Sequence, residues 1–159
     1  IGVPDSILIK PAKLTEEEFE HIKRHPVIGV NILEQTRFFV TELPLVRHHH
    51  ERYDGRGYPD GILGSDIPLG SRIIHVADAV EAMLAQRSYK RPCTVEHVLA
   101  ELENGRGLQF DPEVAVLARD LISRGVLDRI WRIPSASARR RTVAVPDLPA
   151  LATGGSDAQ

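Results

Sequence analysis

"VRHHHERYDGRGYPDG", residues 46–61, sets three consecutive histidines and an acid directly before a loop with a glycine at every second or third position. Imidazole is the commonest metal-binding side chain, and glycine lets a backbone approach a ligand closely. The segment therefore reads in one of two ways. It is one wall of a metal and phosphate site, or it is a solvated helix end running into a turn.

Upstream, "TEEEFEHIKR" places Thr15 as an N-cap and Glu18 three residues later, a capping box with acids in the positive first turn. A helix begins there. Pro26 lacks a backbone N–H and disfavours helical geometry at His25, which predicts a stop or kink and a second helix through "PVIGVNILEQ". His25 thus falls at a helix junction. Residues 1–14, with Pro4 and Pro11, read as an extended loop. A further helix is expected from Thr41 or Glu42, with Pro44 in its first turn, carrying "LVRHHHERY" until Gly55 and Gly57 end it. On such a helix His49 and His50 would point about 100° apart and could serve different ions. His48 would be packing or polar surface.

Downstream, "DGRGYPDGILGSDIPLG" is too long and glycine-dense for a tight turn and reads as a functional loop. In "SRIIHVADAVEAMLAQ", Ile73, Val76, Ala77, Val80, Met83 and Leu84 form an apolar helical stripe. The other faces, with Ile74, Ala79, Ala82 and Ala85, are largely apolar too. Carboxylates on a helix buried on most sides need a metal or a cation, which singles out Asp78 and Glu81. Asp78 also lies nearly opposite the stripe, so plain solvation stays open. Thr94 caps "VEHVLAELENG", and Asp111-Pro112 opens "PEVAVLARDLISR" with proline at its first position. No segment shows sustained β alternation, so the fold class is all-α.

The 159 residues are 42% hydrophobic with a net charge of −2, which excludes the global basic field a nucleic acid polymer would require. Local cations flank the unusual segments at Arg47, Arg52, Arg56, Arg87, Lys90 and Arg91. No stretch approaches the roughly 18 apolar residues of a membrane span, and a single cysteine, Cys93, fits a reducing cytoplasm. From about Pro134 the chain is rich in Pro, Ser, Ala and Gly, which divides it into a domain over residues 1–132 and a flexible tail over 133–159. The Arg139-Arg140-Arg141 run reads as solvated.

Taken in order, "IGVPDSILIKPAKLTEEEFEHIKRHPVIG", "HHERYDGRGYPDGILGSDIPLGSRIIHVADAVEA" and "GLQFDPEV" resemble the HD-GYP family of bacterial metal-dependent phosphohydrolases. The resemblance implies an HD-domain-like helical bundle holding two or three divalent ions, iron or manganese, with zinc as an alternative. It implies metal ligands at His25, His49, His50 and Asp78 and substrate contacts at Tyr58, Glu81, Arg87 and Lys90. Glu51, Asp54, Gly55, Gly57 and Pro59 complete the motif loop. The expected activity is hydrolysis of cyclic di-GMP in second-messenger signalling. The alternative is a non-catalytic module that binds a cyclic dinucleotide or a signalling partner.

Two departures accompany the resemblance. The family's His-Asp-x-Gly-Lys segment would stand just before Ile1, so the chain reads as the C-terminal portion of the domain, truncated at its N-terminus and inactive alone. Glu81 replaces the family's aspartate, and "LAQRSYK" replaces "TSDRPYR". An N-terminal sensor or receiver domain, a cytoplasmic location and a homodimer are the associated expectations.

Overall fold

Pro4, the Thr15 box, Pro26, Pro44, Thr94 and Asp111 each start a helix where backbone N–H groups lack partners. The computed structural model describes residues 2–10, 12–85 and 93–127. Arg87, Lys90, Arg91 and the segment 133–159 lie outside these. Two units are distinguished, Ile1–Val126 and Leu127–Gln159, and all that follows concerns the first.

Its helices are α1 (Asp5–Leu8), α2 (Glu16–Lys23), α3 (His25–Glu34), α4 (Leu43–His48), α5 (Leu69–Leu84), α6 (Val95–Asn104) and α7 (Pro112–Ser123), with a 3₁₀ turn at Gly64–Asp66. No strand occurs among the described residues, only an isolated bridge between Arg106 and Phe110. The fold of the described residues is an all-α bundle, as expected. The Thr15 capping box forms, with Glu18 N donating to Thr15 Oγ1 and Thr15 N to the Glu18 carboxylate. Arg24 alone separates α2 from α3, with Pro26 in the first turn of α3. Asp111 caps α7 through Oδ1, which accepts from Glu113 N and Val114 N.

Three expectations are corrected. Asp5–Leu8 forms one helical turn inside the stretch read as a loop, because the Pro4 carbonyl accepts from both Ile7 and Leu8. The helix α4 stops at His48 instead of reaching Tyr53; the chain turns at His49 and His50, and the loop returns Tyr58 N to the His50 carbonyl. The stripe on α5 is only partly buried: Val76 and Val80 are interior, whereas Ile73 and Ala77 are exposed.

The interior sits among α5, α6 and α7, where Val98, Leu102 and Ala115 are fully buried beside Phe110, Val76 and Ile122. Each such aliphatic side chain contributes about 1.5–3 kcal/mol by leaving water. The other packed pairs are α2 with α3, α3 with α4 and α4 with α5. Where α4 meets α5 the helices nearly touch. A Cβ at Gly70 would stand 2.8 Å from Leu45 Cδ2, and Ser71 Oγ reaches the carbonyls of Pro44 and Leu45. This contact brings the end of α4, with its histidines, against the flank of α5.

Candidate metal centre

His25 at the start of α3 and His49 just past α4 turn the same chemistry toward each other. His25 Nδ1 donates to the Ile22 carbonyl at 2.7 Å, and His49 Nδ1 donates to the Val46 carbonyl at 2.6 Å. With both Nδ1 protons so committed, the neutral form of either ring carries its lone pair on Nε2, and these two atoms lie 3.3 Å apart. Two facing lone pairs repel unless a cation stands with them. The separation suits two nitrogen ligands on one ion at the usual ~2.1 Å bond length. A carbonyl acceptor behind each ring is the support that metal-ligating histidines almost always have.

His50 completes a trio whose ligand atoms all lie within 4.8 Å of one another. Its ring centroid is 4.8 Å from that of His25 and 4.1 Å from that of His49. Burial, reinforced by the neighbouring histidines His49, His25 and His75, holds His50 down to about 3. It is therefore neutral and available as a ligand at any physiological pH. Burial also lowers His49, the Val46 carbonyl and Asp78 opposing. The donor set fits a divalent transition metal. Although adjacent histidines were expected to point about 100° apart, His49 and His50 place their ligand atoms in one cluster.

Asp78 is exposed on α5 and stands outside the trio, which is the solvated one of the two alternatives that its helix had left open. Its charge nevertheless acts on His49, Tyr58 and His75. Glu81 lies one turn further along α5, half-buried.

The loop after the histidines is shaped by a carboxylate. Glu51 is 2% exposed, and its Oε1 accepts from Asp60 N at 2.7 Å and Gly61 N at 3.0 Å. Asp54 takes Arg52 in a two-pronged pair and the Arg56 N–H besides; Arg47 grips Asp60 the same way. Arg47 and Arg52 are thus loop braces. A Cβ on Gly57 would fall 2.2 Å from Arg52 N, so only glycine fits there. Gly55 adopts φ +74°, and the Tyr58–Pro59 bond is cis. Tyr58 stacks on His50 at 4.9 Å and 29°. Burial, with the Asp78 charge adding, pushes its phenol up to about 12, so it stays a hydroxyl donor. His48 belongs elsewhere, its Nδ1 3.5 Å from Asp60 Oδ2 and 3.8 Å from Glu51 Oε1.

One histidine escaped the sequence reading. His75 on α5 donates from Nδ1 to the His49 carbonyl at 3.0 Å, and its Nε2 is buried without a hydrogen-bond partner. Its ring centroid is 6.5 Å from that of His50. The available signal was its position three residues before Asp78, hence on the same helix face.

A family model described as HD domain matches residues 1–114. The chain is 47% identical over 143 residues to the cyclic di-GMP phosphodiesterase response regulator RpfG of Xanthomonas campestris, covering 87% of this chain and 37% of that protein. It is 43% identical to a cyclic di-GMP phosphodiesterase of Thermotoga maritima, over 72% of this chain and 32% of the other. To the 3'3'-cGAMP-specific phosphodiesterase 2 of Vibrio cholerae it is 40% identical, over 74% and 23%. The chain spans roughly a third or less of these relatives' lengths. Among solved structures, a cyclic GMP-AMP specific phosphodiesterase of V. cholerae superposes with a TM-score of 0.56 at 19% identity, over 84% of this chain and 37% of that one, a likeness of fold. The HD match takes in every helix from α1 to α6 together with the paired histidines and the Gly-Tyr-Pro loop, and by it this chain belongs to the HD domain family, in its HD-GYP group.

Proposed function

We propose that this chain forms the metal-holding and substrate-holding part of a phosphodiesterase acting on cyclic di-GMP. The observation that carries the reading is the convergence of His25, His49 and His50, each buried to a degree that keeps it neutral or backed by a carbonyl that fixes its tautomer. In this reading the three imidazoles hold divalent ions together with Asp78, and His75 joins them through its unpartnered Nε2. The donor set of imidazoles with a carboxylate suits iron or manganese, with zinc next, in a centre of two or three ions. Such ions stabilise charge on phosphodiester oxygens and make water a nucleophile at neutral pH.

The chain's own residues do the remaining work. The Ile22, Val46 and His49 carbonyls orient the His25, His49 and His75 rings, which holds the donor atoms in place before substrate arrives. Tyr58, kept protonated, offers its hydroxyl to a phosphate oxygen or a ribose. Glu51 holds the loop that presents Tyr58. Arg87 and Lys90 contribute cations to the substrate phosphates, and Glu81 meets its polar edge. The names of the X. campestris and T. maritima relatives support the substrate. The response-regulator name of the first supports a regulatory partner region in the whole protein. No helix among the described residues is long and apolar enough to cross a membrane; we place the protein in the cytoplasm.

The test is His49→Ala in the full-length protein, with metal content and hydrolysis measured on the same preparation. Both should fall, the metal by about 10-fold or more in affinity. Wild-type metal content with wild-type turnover would remove His49 from the centre. Metal bound without any hydrolysis in the wild type would favour the alternative, a non-catalytic cyclic dinucleotide module.

A further inference from the structure

Beside the imidazole cluster lies a groove of about 390 Å³, large enough for a nucleobase. One side comes from the motif loop through Tyr58 and Pro59, the other from the α2–α3 junction through Val27 and Ile28. These four give it apolar faces. Its polar groups are Glu20, Lys23 and Arg24.

The polar groups are not equivalent. Lys23 is committed: Nζ donates to Glu20 Oε1 at 2.6 Å and sits 4.9 Å from the centre of the Phe19 ring. Phe19 in turn meets Tyr58 edge-on at 6.2 Å. Lys23 and Phe19 thereby brace Tyr58, whose ring stacks on His50. The groove and the imidazole cluster thus share a side chain. Arg24, exposed at the junction, makes no ion pair among the described residues, and Glu20 keeps one carboxylate oxygen outside the Lys23 pair. Glu20 and Arg24 are four residues apart, so a donor fork and a carboxylate stand about 5–6 Å from each other at the Cβ level. That spacing is comparable to the edge of a purine.

We propose that this groove is a guanine subsite, with Arg24 donating to O6 and N7 of the base, Glu20 accepting from N1–H and the 2-amino group, and Tyr58, Val27 and Ile28 against its faces. The ligand's identity rests on the cyclic dinucleotide reading above; the base preference rests on the groove alone. Guanine offers two acceptors to an arginine and two donors to a carboxylate. Adenine keeps the N7 acceptor but offers a 6-amino donor where Arg24 needs O6, a bare N1 where Glu20 needs a donor, and no 2-amino group, so one Arg24 contact and both Glu20 contacts are lost. A well-made bidentate pair discriminates by tenfold or more.

The experiment titrates the metal-free chain with GMP and with AMP, which differ only in the base. Binding is followed by NMR at the Val27 and Ile28 methyl groups. GMP should bind about tenfold more tightly and shift those methyls. Arg24→Ala and Glu20→Gln should each bring the two affinities to within about twofold. Equal affinities in the wild type, a preference that survives both substitutions, or shifts that spare Val27 and Ile28 would each overturn the proposal. A wild type that prefers GMP but fails to hydrolyse cyclic di-GMP in the full-length, metal-loaded protein would support the subsite while overturning the phosphodiesterase reading.

Discussion

The loop from His49 to Gly61 and the helix α5 both border the imidazole cluster, yet they are held by opposite means. The loop has almost no apolar interior; its course is set by polar contacts to its own backbone. Glu51 takes two amides, Asp54 takes one amide and a guanidinium, and Tyr53 N and Asp54 N reach the Gln109 and Leu108 carbonyls. The helix is fixed by Val76 and Val80 on one face and by three polar ties, Ser71 to α4, Arg72 to Asp111 and His75 to the His49 carbonyl. Its outer face, with Ile73 and Ile74, is exposed. Loop geometry is therefore specified residue by residue, whereas the helix needs only one correct face. Substitutions should be severe in the first region and graded in the second.

The largest effect should come from Gly57→Ala. The added Cβ would meet Arg52 N at 2.2 Å and Glu51 Cα at 2.5 Å, both backbone, so neither can yield by rotating a side chain. The loop must move, and Glu51 then loses the amides that satisfy it in a buried site. We expect a loss of about 4 kcal/mol or more, in the exceptional class of single substitutions, with weakened metal uptake. Gly64→Ala isolates sterics from conformation: Gly64 has φ +60° but open space at its Cβ, so only the left-handed penalty of about 1–2 kcal/mol applies. Urea unfolding of the two variants side by side checks the contrast; because Gly57 is not in the left-handed region, equal losses would mean that the loop relieves the Gly57 crowding cheaply.

This difference also explains what the sequence disclosed. The helix starts at Thr15, Pro26, Thr94 and Asp111 were legible because each is a local device, a side chain satisfying an amide two or three residues away or a ring that fixes φ. The histidines His25, His49 and His50 were legible through the spacing of the motif. Where α4 ends was not, since no glycine or proline stands at His49 and the stop depends on the Glu51 carboxylate recruiting Asp60 and Gly61 from ten residues on. The exposure of Ile73 was equally hidden, because composition says that a helix is apolar all round but not which faces find a neighbour, whereas the helical wheel had kept solvation of Asp78 open. His75 acquires meaning only when α5 packs against the end of α4 and its Nδ1 meets the His49 carbonyl.

An intermediate effect should follow from Asp111→Ala, which removes the tie between α5 and α7 together with the α7 cap. Losing the cap costs about 1–2 kcal/mol, and Arg72 loses its partner as well. The same residue predicts an acid limb. Burial pushes the Asp111 carboxyl up, but the Val114 and Glu113 amides and the Arg72 guanidinium outweigh it, and the net shift is downward. A carboxyl lowered on folding contributes stability that is present above its unfolded value, about 3.9, and is lost as pH falls through the lower folded value. Thermal unfolding from pH 7 down to pH 2 should show the wild type losing stability below about pH 4, with a smaller decline in the variant. Parallel curves would assign that limb to other carboxylates.

The smallest effect should come from the outer face of α5. Val76 is 3% exposed and Ile73 is 49% exposed, three residues apart on one helix. Val76→Ala removes two methyl groups from a packed interior and should cost about 2 kcal/mol, transfer and cavity together. Ile73→Gln removes an aliphatic side chain that is already half in water and replaces a β-branched residue with a better helix former. The lost burial and the gained propensity oppose each other, so the net change should stay within about 0.5 kcal/mol. Denaturant midpoints for the pair decide the matter. A loss at Ile73 equal to that at Val76 would mean that this face is covered in solution, and the division between a fully specified loop and a one-faced helix would fail on its helical side.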